Sequence, residues 1–581
     1  MRKLLPVMSL ALALTLPVAH AQTPAWTGAV QPTNPTPTDD TGALGRGLTV
    51  DAAGNQYVAG VLQNGAGSGG RATRVFGTTT LTGGNGYGSG FVAKLSPTQQ
   101  WQWALKATSS GEGATFQETA VSPAGDTYAM GYVSDDASIL PNGGSVLTVG
   151  SSTYTTTKDF ASFITRLNAS GQPQWLAGVS GAQIFGLGWD ATAGNLVVAG
   201  VYVGTVTFGS TTLPAAPSTG LFVARLSATG QWVSAVGATT NGTASSSRFV
   251  VSQATVGPQG QAAIAFRIRN GAVTLGSTTI TSTSATQATN VVAQLSAANQ
   301  WAWAAQTSAP GTSSVAYATH DLRYDRAGNL LLTAESIGNG LQLGTTTVNA
   351  DEFVARLSPT GQWGAVGTIG HGTASTSYTD ALAVDGQGNA VLLGSFPAAA
   401  TYTFGTRSLV SPATGSKFVA RFNPTTTSWD YAQLAPASSG DGYGFEAAAV
   451  DGTGNLLATG NLRGGVTFGS TVLTNPTTFG TNAFVARLSN AGLPTAVRQP
   501  AGATPLALYP NPITAGTSAT LRLAAPAATA RPVVLRDALG RAVAHATIAA
   551  GSQEGTVATQ NLAPGLYMLE AGTSRAQLII E

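Results

Sequence analysis

The sequence predicts an all-β protein: a seven-bladed β-propeller whose N-terminal strand closes the last blade, followed by a small β-sandwich. Three observations predict it. The hexapeptide FVARLS stands at Phe222, Phe353 and Phe484, with the variants FVAKLS at Phe91, FITRLN at Phe163, VVAQLS at Val291 and FVARFN at Phe418. The segments around these are short, alternating and bounded by Gly-containing turns, with no sustained helical period. The seventh unit, FVARLSNAGLPTAV, lacks the Trp strand that follows the hexapeptide elsewhere, whereas AWTGAV at Ala25 is a Trp strand with no unit before it.

Taken in order, the chain opens on a positive pair, Arg2 and Lys3, an apolar run over 4–18, and the small-x-small site Ala19-His20-Ala21. Residues 1–21 are therefore read as a secretory signal peptide. No cysteine follows the cleavage point, which argues against a lipoprotein anchor, and nothing later reaches the ~18 apolar residues of a membrane span. A chain with no cysteine also has no disulfide, thiolate nucleophile or Cys-ligated metal. Charged residues make up only 9% of it, and a net charge of +2 spread over dispersed Lys and Arg forms no basic stripe, so nucleic acid is not an expected partner.

Residues 22–497 are assigned to the propeller, with repeats starting near 45, 116, 184, 250, 319, 379 and 445. Each unit, about 67 residues long, begins with an apolar strand ending at a turn Asp, as in LAVDGQGN from Leu382 or AAVDGTGN from Ala448. A second strand, an F/L-G-[ST] hairpin, the FVARLS strand and a Trp strand follow. The hairpins stand at Phe76, Phe208, Leu275, Leu343, Phe404 and Phe468. In the second unit, 134–159, with Asp135 and Asp136, is read as a long insertion and a candidate recognition loop, or as ordinary loop solvation. The whole pattern over roughly 45–497, x-VD-x-x-GN-x-YV-x-G…FG-x-x-x-L…FVAKL…G-x-W-x-WA, resembles the SBBP-type bacterial β-propeller repeats. Ser122 and Val256 depart from it by replacing the turn Asp, and one extra residue follows Asp190.

The turn Asp and the base of FVA[RK] co-occur: Asp51 with Lys94, Asp325 with Arg356, Asp385 with Arg421, Asp451 with Arg487. Blade 4 loses both, with Val256 and Gln294, and blade 2 keeps Arg166 with Asp126 displaced in its turn. One charge-assisted pair per blade is the expectation; turn-forming Asp and a solvated base are the alternative. The Trp residues, fixed in every repeat, are expected to pack blades rather than to stack sugars. The D-x-x-G-N turn lacks the alternating oxygen ligands of a calcium loop. Neither a metal nor a cofactor is expected.

A linker is read over 498–506, and 507–581 as a β-sandwich of normal domain size. Its Tyr509-Pro510-Asn511-Pro512, Asp537 with Gly540, Gly565-Leu566-Tyr567 and final apolar strand, in that order, resemble the C-terminal sorting domain of type IX secretion cargo. The resemblance implies partnership with that secretion machinery, delivery to the outside or the outer-membrane cell surface, and tail cleavage with release or attachment to lipopolysaccharide.

Fold does not give function. Counting four or five residues back from each turn Asp marks the channel end of the innermost strands: Arg46, Gln117-Glu118, Phe185, Val251, His320-Asp321, Asp380 and Glu446. Arg46, Glu118, His320, Asp321, Asp380 and Glu446 are the candidate ligand-binding residues, for a cation or a polar ligand such as a glycan; the competing reading is polar strand starts solvated in a wet channel. The two offsets fall on opposite faces of a strand, so not all six are expected to converge. No G-x-S-x-G, H-E-x-x-H or phosphate-cradling loop appears. A non-catalytic binding or adhesion module for proteins or glycans is the expectation. The alternatives are a polysaccharide-degrading enzyme using Asp380 and Glu446 and a purely structural outer-layer protein.

Overall fold

The computed structural model describes residues 24–580 except 36–40, 66–69, 85, 87, 135–143, 159, 242–248, 285–287, 308–315, 338–339, 351, 372–377, 397–398, 413–415, 440–441, 476–479, 490, 492–505, 515, 524, 538–541, 561, 564 and 573. Residues 1–21, read above as a signal peptide, Asp135, Asp136, nearly all of the segment read as a linker and Gly540 lie outside the described residues. The chain divides into two compact units, Met1–Leu493 and Pro494–Glu581. Among the described residues no helix is long and apolar enough to cross a membrane.

The first unit is the seven-bladed propeller. Its innermost strands are Gly42–Val50, Gly113–Val121, Ala182–Asp190, Phe249–Val256, Ala316–Tyr324, Tyr378–Val384 and Tyr443–Val450. Each lies beside the next, and the last returns to the first, which closes the ring. From each, an antiparallel meander runs outward; in blade 1 it continues through Gln56–Gln63, Gly88–Leu95 and Trp101–Ser109. Because blades stack face to face, middle strands are covered on both sides. QYVAGVLQ is accordingly buried at every position but its last, the continuous apolar run of a strand with no solvent face. The outermost strands are partly exposed, as in Trp101–Ser109.

The ring closes as the orphan Trp strand requires. Ala25–Val30 pairs antiparallel with Asn482–Ser489, Ala25 opposite Ser489 and Val30 opposite Val485. Trp26 packs on Phe468 at 4.9 Å, the place Trp101 holds on Phe76 at 4.9 Å and Trp232 on Phe208 at 4.8 Å. The hairpin aromatic thus rests on the outer Trp of its own blade, while the hairpin backbone reaches the blade before. Val149 of blade 2 pairs with Ala107 of blade 1, Phe404 of blade 6 with Ile369 of blade 5, and Val75 of blade 1 with Thr33, just beyond the closing strand. Arg74, fully buried, adds donors to the Thr41 carbonyl (2.9 Å), the Thr481 carbonyl (3.2 Å) and Asn482 Oδ1 (3.1 Å) at the closing seam.

Two expectations change here. Part of the stretch read as an insertion in blade 2 is that blade's hairpin: Val146–Val149 pairs with Ser152–Thr155. Gly150 has φ of 59°, matching Gly77 at 61° and Gly469 at 62°, as a two-residue type II′ turn demands. The sequence VGSSTY hides it by carrying Val where the other hairpins have Phe or Leu before the glycine.

The blade pairs also differ from the expectation. Arg421 donates to Asp385 at 2.6 Å and also holds Asp430; Arg487 lies 3.7 Å from Asp451. Arg166–Asp126 (2.8 Å) and Arg225–Asp190 (3.5 Å) join them. Asp51 and Lys94 do not pair: the Lys94 ammonium sits 5.3 Å over the Tyr57 ring, and Tyr57 Oη donates to Asp51 at 3.0 Å. Asp325 and Arg356 form no ion pair among the described residues, although Asn329 N and Nδ2 and Ala327 N donate to the Asp325 carboxylate just as the matching turn donors do to Asp385 and Asp451. In blade 4, Gln294 accepts from Tyr324 Oη at 2.8 Å, a neutral bond where the charged pair is lost.

The second unit is a two-sheet sandwich. Ala507–Tyr509, Ser518–Arg522 and Glu554–Ala558 form one sheet; Ala542–Ile548, Arg531–Arg536, Gly565–Ala571 and Ser574–Ile580 form the other. Leu521, Leu535, Ile548, Val557, Leu569 and Leu578, all fully buried, fill the space between. Pro510 and Pro512 follow cis peptide bonds. Between them Asn511 brackets the last strand, Nδ2 donating to the Gln577 carbonyl (2.7 Å) and Oδ1 accepting from Ile579 N (2.9 Å). Tyr509 Oη donates to Glu554 (2.8 Å) and Tyr567 Oη to the Ala563 carbonyl (2.7 Å). Asp537 ends the strand Arg531–Arg536.

Candidate ligand chamber in the propeller channel

Every innermost strand carries a β-bulge at the same level. Its register with the second strand skips Arg46, Gln117, Phe185, Ser252, His320, Asp380 and Glu446 in turn. A bulge sets two residues against one and locally breaks the alternation of side chains. That overturns the expectation that the two offsets diverge. Arg46, Glu118, His320, Asp321, Asp380 and Glu446 all line one cavity of about 400 Å3. Gln117, Gln183, Gln253, Tyr132 and Phe185 are also in its wall, with Leu48, Met130 and Ile184 among its apolar members.

The charges in this chamber are paired. Arg46 Nη1 donates to Glu446 Oε2 at 3.1 Å, across the blade 1–blade 7 junction, and Asn461 Nδ2 donates to Glu446 Oε1 at 2.7 Å. Ser395 Oγ donates to Asp380 Oδ2 at 2.6 Å and accepts from Lys417 Nζ at 2.6 Å; Lys417 itself is 4.0 Å from Asp380. Arg323 lies 3.3 Å from Asp321 and 3.9 Å from Glu118. Backbone N–H groups finish the set: Leu322 and Leu382 donate to Asp321 (2.8 and 3.0 Å) and Leu187 to Glu118 (3.0 Å).

Burial dominates the acid–base behaviour. It pushes the Glu118 carboxyl up to about 7 against the pull of Arg323. Asp380 rises to about 6, again by burial and against Lys417, and Asp321 also rises. Behind the wall, Glu352 is fully buried and driven up to about 8. Its Oε1 accepts from Thr379 N at 2.7 Å and lies 3.4 Å from His320 Nε2. Burial lowers the His320 pKa, so the two form a neutral pair at neutral pH.

Glu118 and Arg323 also border a second cavity of about 600 Å3. It opens at the turn end of the strands, among Val50, Val121, Trp189, Tyr324, Val384 and Val450. The Glu118–Arg323 pair therefore borders both the polar chamber and a less polar cavity at the turn end. Trp189 stacks on Tyr128 at 5.1 Å. No group of three or more His, Cys, Asp or Glu side chains is arranged to hold a metal among the described residues.

Sequence reasoning missed Arg323, Glu352, Ser395 and Lys417. Arg323 follows Asp321 by two and so shares its side of the strand. Glu352 and Lys417 precede the Phe of the hexapeptide, where the other repeats have Gly90, Ser162, Leu221, Asn290 and Ala483. A charge in that buried register was the available signal.

No curated protein matches the chain. Among solved structures, the chain is similar to a fungal alcohol oxidase of the AA5 family in complex with copper, at 12% identity over 96% of this chain and 99% of that one, TM-score 0.32. It is similar to the Dos1 propeller at 8% identity, over 80% and 95%, TM-score 0.37. Virginiamycin B lyase from Staphylococcus aureus, an inactive variant with quinupristin, gives 9% identity over 79% and 99%, TM-score 0.36. Likeness at this level transfers neither ligand nor chemistry. The tail is different: residues 507–581 match the secretion system C-terminal sorting domain, so the chain carries the signal of a secreted or cell-surface protein delivered by the type IX secretion machinery.

Proposed function

We propose that the propeller, of SBBP-repeat type, is a non-catalytic binding and adhesion module of the cell surface. Its polar chamber takes a neutral, hydroxyl-rich ligand of the glycan class. One observation carries this reading: each charged side chain lining the chamber has an opposite charge or a buried neutral partner within 4.0 Å. An ionic ligand would have to break those pairs to bind. A neutral polyol instead uses what is left over, the Gln183 amide, the Tyr132 hydroxyl and Asp380 Oδ1, with Phe185 and Tyr132 as apolar faces.

The test is thermal unfolding of the secreted chain with a panel of neutral oligosaccharides. A ligand at 100 times its Kd adds about 2.7 kcal/mol, and Gln183→Ala and Asp380→Asn should remove the shift. Absence of any shift overturns the reading. A hydrolase remains the rival because burial raises Asp380 to about 6 and a second carboxyl group, Glu446, 3.1 Å from Arg46, lines the same chamber. Release of reducing ends by wild type, lost in Asp380→Asn and Glu446→Gln, would establish it. Neither binding nor turnover, with self-association on the cell, would favour a structural coat.

A further inference from the structure

The chamber is not walled off on all sides. A cleft of about 220 Å3 between blades 1 and 2 is lined by Arg46, Gln117 and Tyr132, the same three side chains that line the chamber. Resting on the glycan reading above, we propose that chamber and cleft form one elongated site, and that it binds the end of an oligosaccharide chain rather than a single sugar. The terminal unit sits in the chamber and the next units leave through the cleft.

Three features support this. Along the channel axis the chamber meets the ion pairs of Arg323, 3.3 Å from Asp321 and 3.9 Å from Glu118. A chain threading past them would have to displace those pairs, whereas a chain end need not. The cleft exists at this blade junction for a structural reason. Gly88 of blade 1 and Gly113 of blade 2 form a parallel bridge, which merges two blades into one sheet and leaves only hydrogen atoms where side chains would fill the space. A Cβ on Gly113 would lie 2.9 Å from the Gly88 carbonyl oxygen. Finally, the shared residues suit a junction between sugar units. Arg46 is held by Glu446 at 3.1 Å, Gln117 Nε2 by Thr115 Oγ1 at 2.9 Å, and Tyr132 offers a ring to both spaces. Beyond them Gln63 and Glu112 give the cleft hydrogen-bonding walls with no cation other than Arg46 among its lining.

The experiment is isothermal titration of the secreted full-length chain with glucose and N-acetylglucosamine oligomers of increasing length. Affinity should rise about tenfold, or 1.4 kcal/mol, from one unit to three and then level off. In Tyr132→Ala, and in the cleft pair Gln63→Ala with Glu112→Gln, the ratio of trisaccharide to monosaccharide affinity should fall towards one. The second variant carries the test if Tyr132→Ala does not fold. A monosaccharide that binds as tightly as the trisaccharide overturns the elongated site and leaves the chamber reading standing. Affinity that keeps rising with length overturns the chain-end geometry. Loss of binding by every oligomer overturns both.

Discussion

Glu352→Gln is the sharpest perturbation available in this channel. Glu352 is fully buried, and its carboxyl is raised from 4.5 to about 8 chiefly by burial. Below about pH 4.5 the folded and unfolded chains both hold the proton. As pH rises, the unfolded chain releases it while the folded chain keeps it. The folded state then binds more protons, and stability falls with rising pH until about pH 8, where both forms are ionised. At 1.36 kcal/mol per unit, that loss is on the order of 5 kcal/mol. Gln keeps the shape and the acceptor for Thr379 N but does not titrate. Urea unfolding of wild type and Glu352→Gln, followed by Trp fluorescence across that window, gives a difference curve. Glu118 and Asp380 add slopes of the same sign, but both proteins have them, so the difference reports Glu352. The variant should become the more stable protein towards pH 8. Parallel curves would refute the claim that Glu352 is held as a neutral acid.

Four further outcomes follow from the blade architecture. Arg421→Met should cost about 3–5 kcal/mol in unfolding free energy by leaving Asp385 buried without its partner. Lys94→Met should cost less than about 1 kcal/mol, since Lys94 only caps the Tyr57 ring. Trp26→Ala should cost about 3 kcal/mol by removing the ring that packs on Phe468 and Phe445, and limited proteolysis should then cut first near the N-terminal strand. Gly150→Ala should cost about 1–2 kcal/mol, because its φ of 59° disfavours an L-residue and the new methyl would meet Pro173 Cγ at 2.8 Å; an unchanged melting temperature would remove the seventh hairpin's claim to a strained turn.

What the sequence made legible was whatever repeats. FVARLS, the turn Asp and the Gly hairpins are local patterns copied around a ring, so each copy corroborates the others. The unpaired Trp26 showed where the ring joins. What stayed hidden depends on register. A bulge leaves no composition signature of its own, so Gln117-Glu118 and His320-Asp321 looked like residues on opposite faces when both members line the chamber. The only trace was two adjacent polar residues in otherwise alternating strands. The charge pair failed for Lys94 because Asp51 accepts from the Tyr57 hydroxyl, and Lys94 sits over that ring instead. Asp325 has the same turn bonds as Asp385 and Asp451, which do pair, so its turn does not explain why Arg356 stays apart.

The closing strand has a bearing on how such a chain is delivered. Ala25–Val30 emerges early, yet its ladder partner, Asn482–Ser489, lies some four hundred and sixty residues on. Bringing such distant segments together costs only about 2 kcal/mol more loop entropy than joining neighbours one repeat apart, so distance is no thermodynamic obstacle. It is an obstacle in time. Any chain interrupted before Asn482 keeps an open edge at both ends of the array, the kind of edge that recruits chaperones, proteases or other copies. Closure therefore acts as a completeness check written into the topology: only a chain whose last blade has arrived can hide its first strand, and the sorting signal lies beyond that point in the sequence.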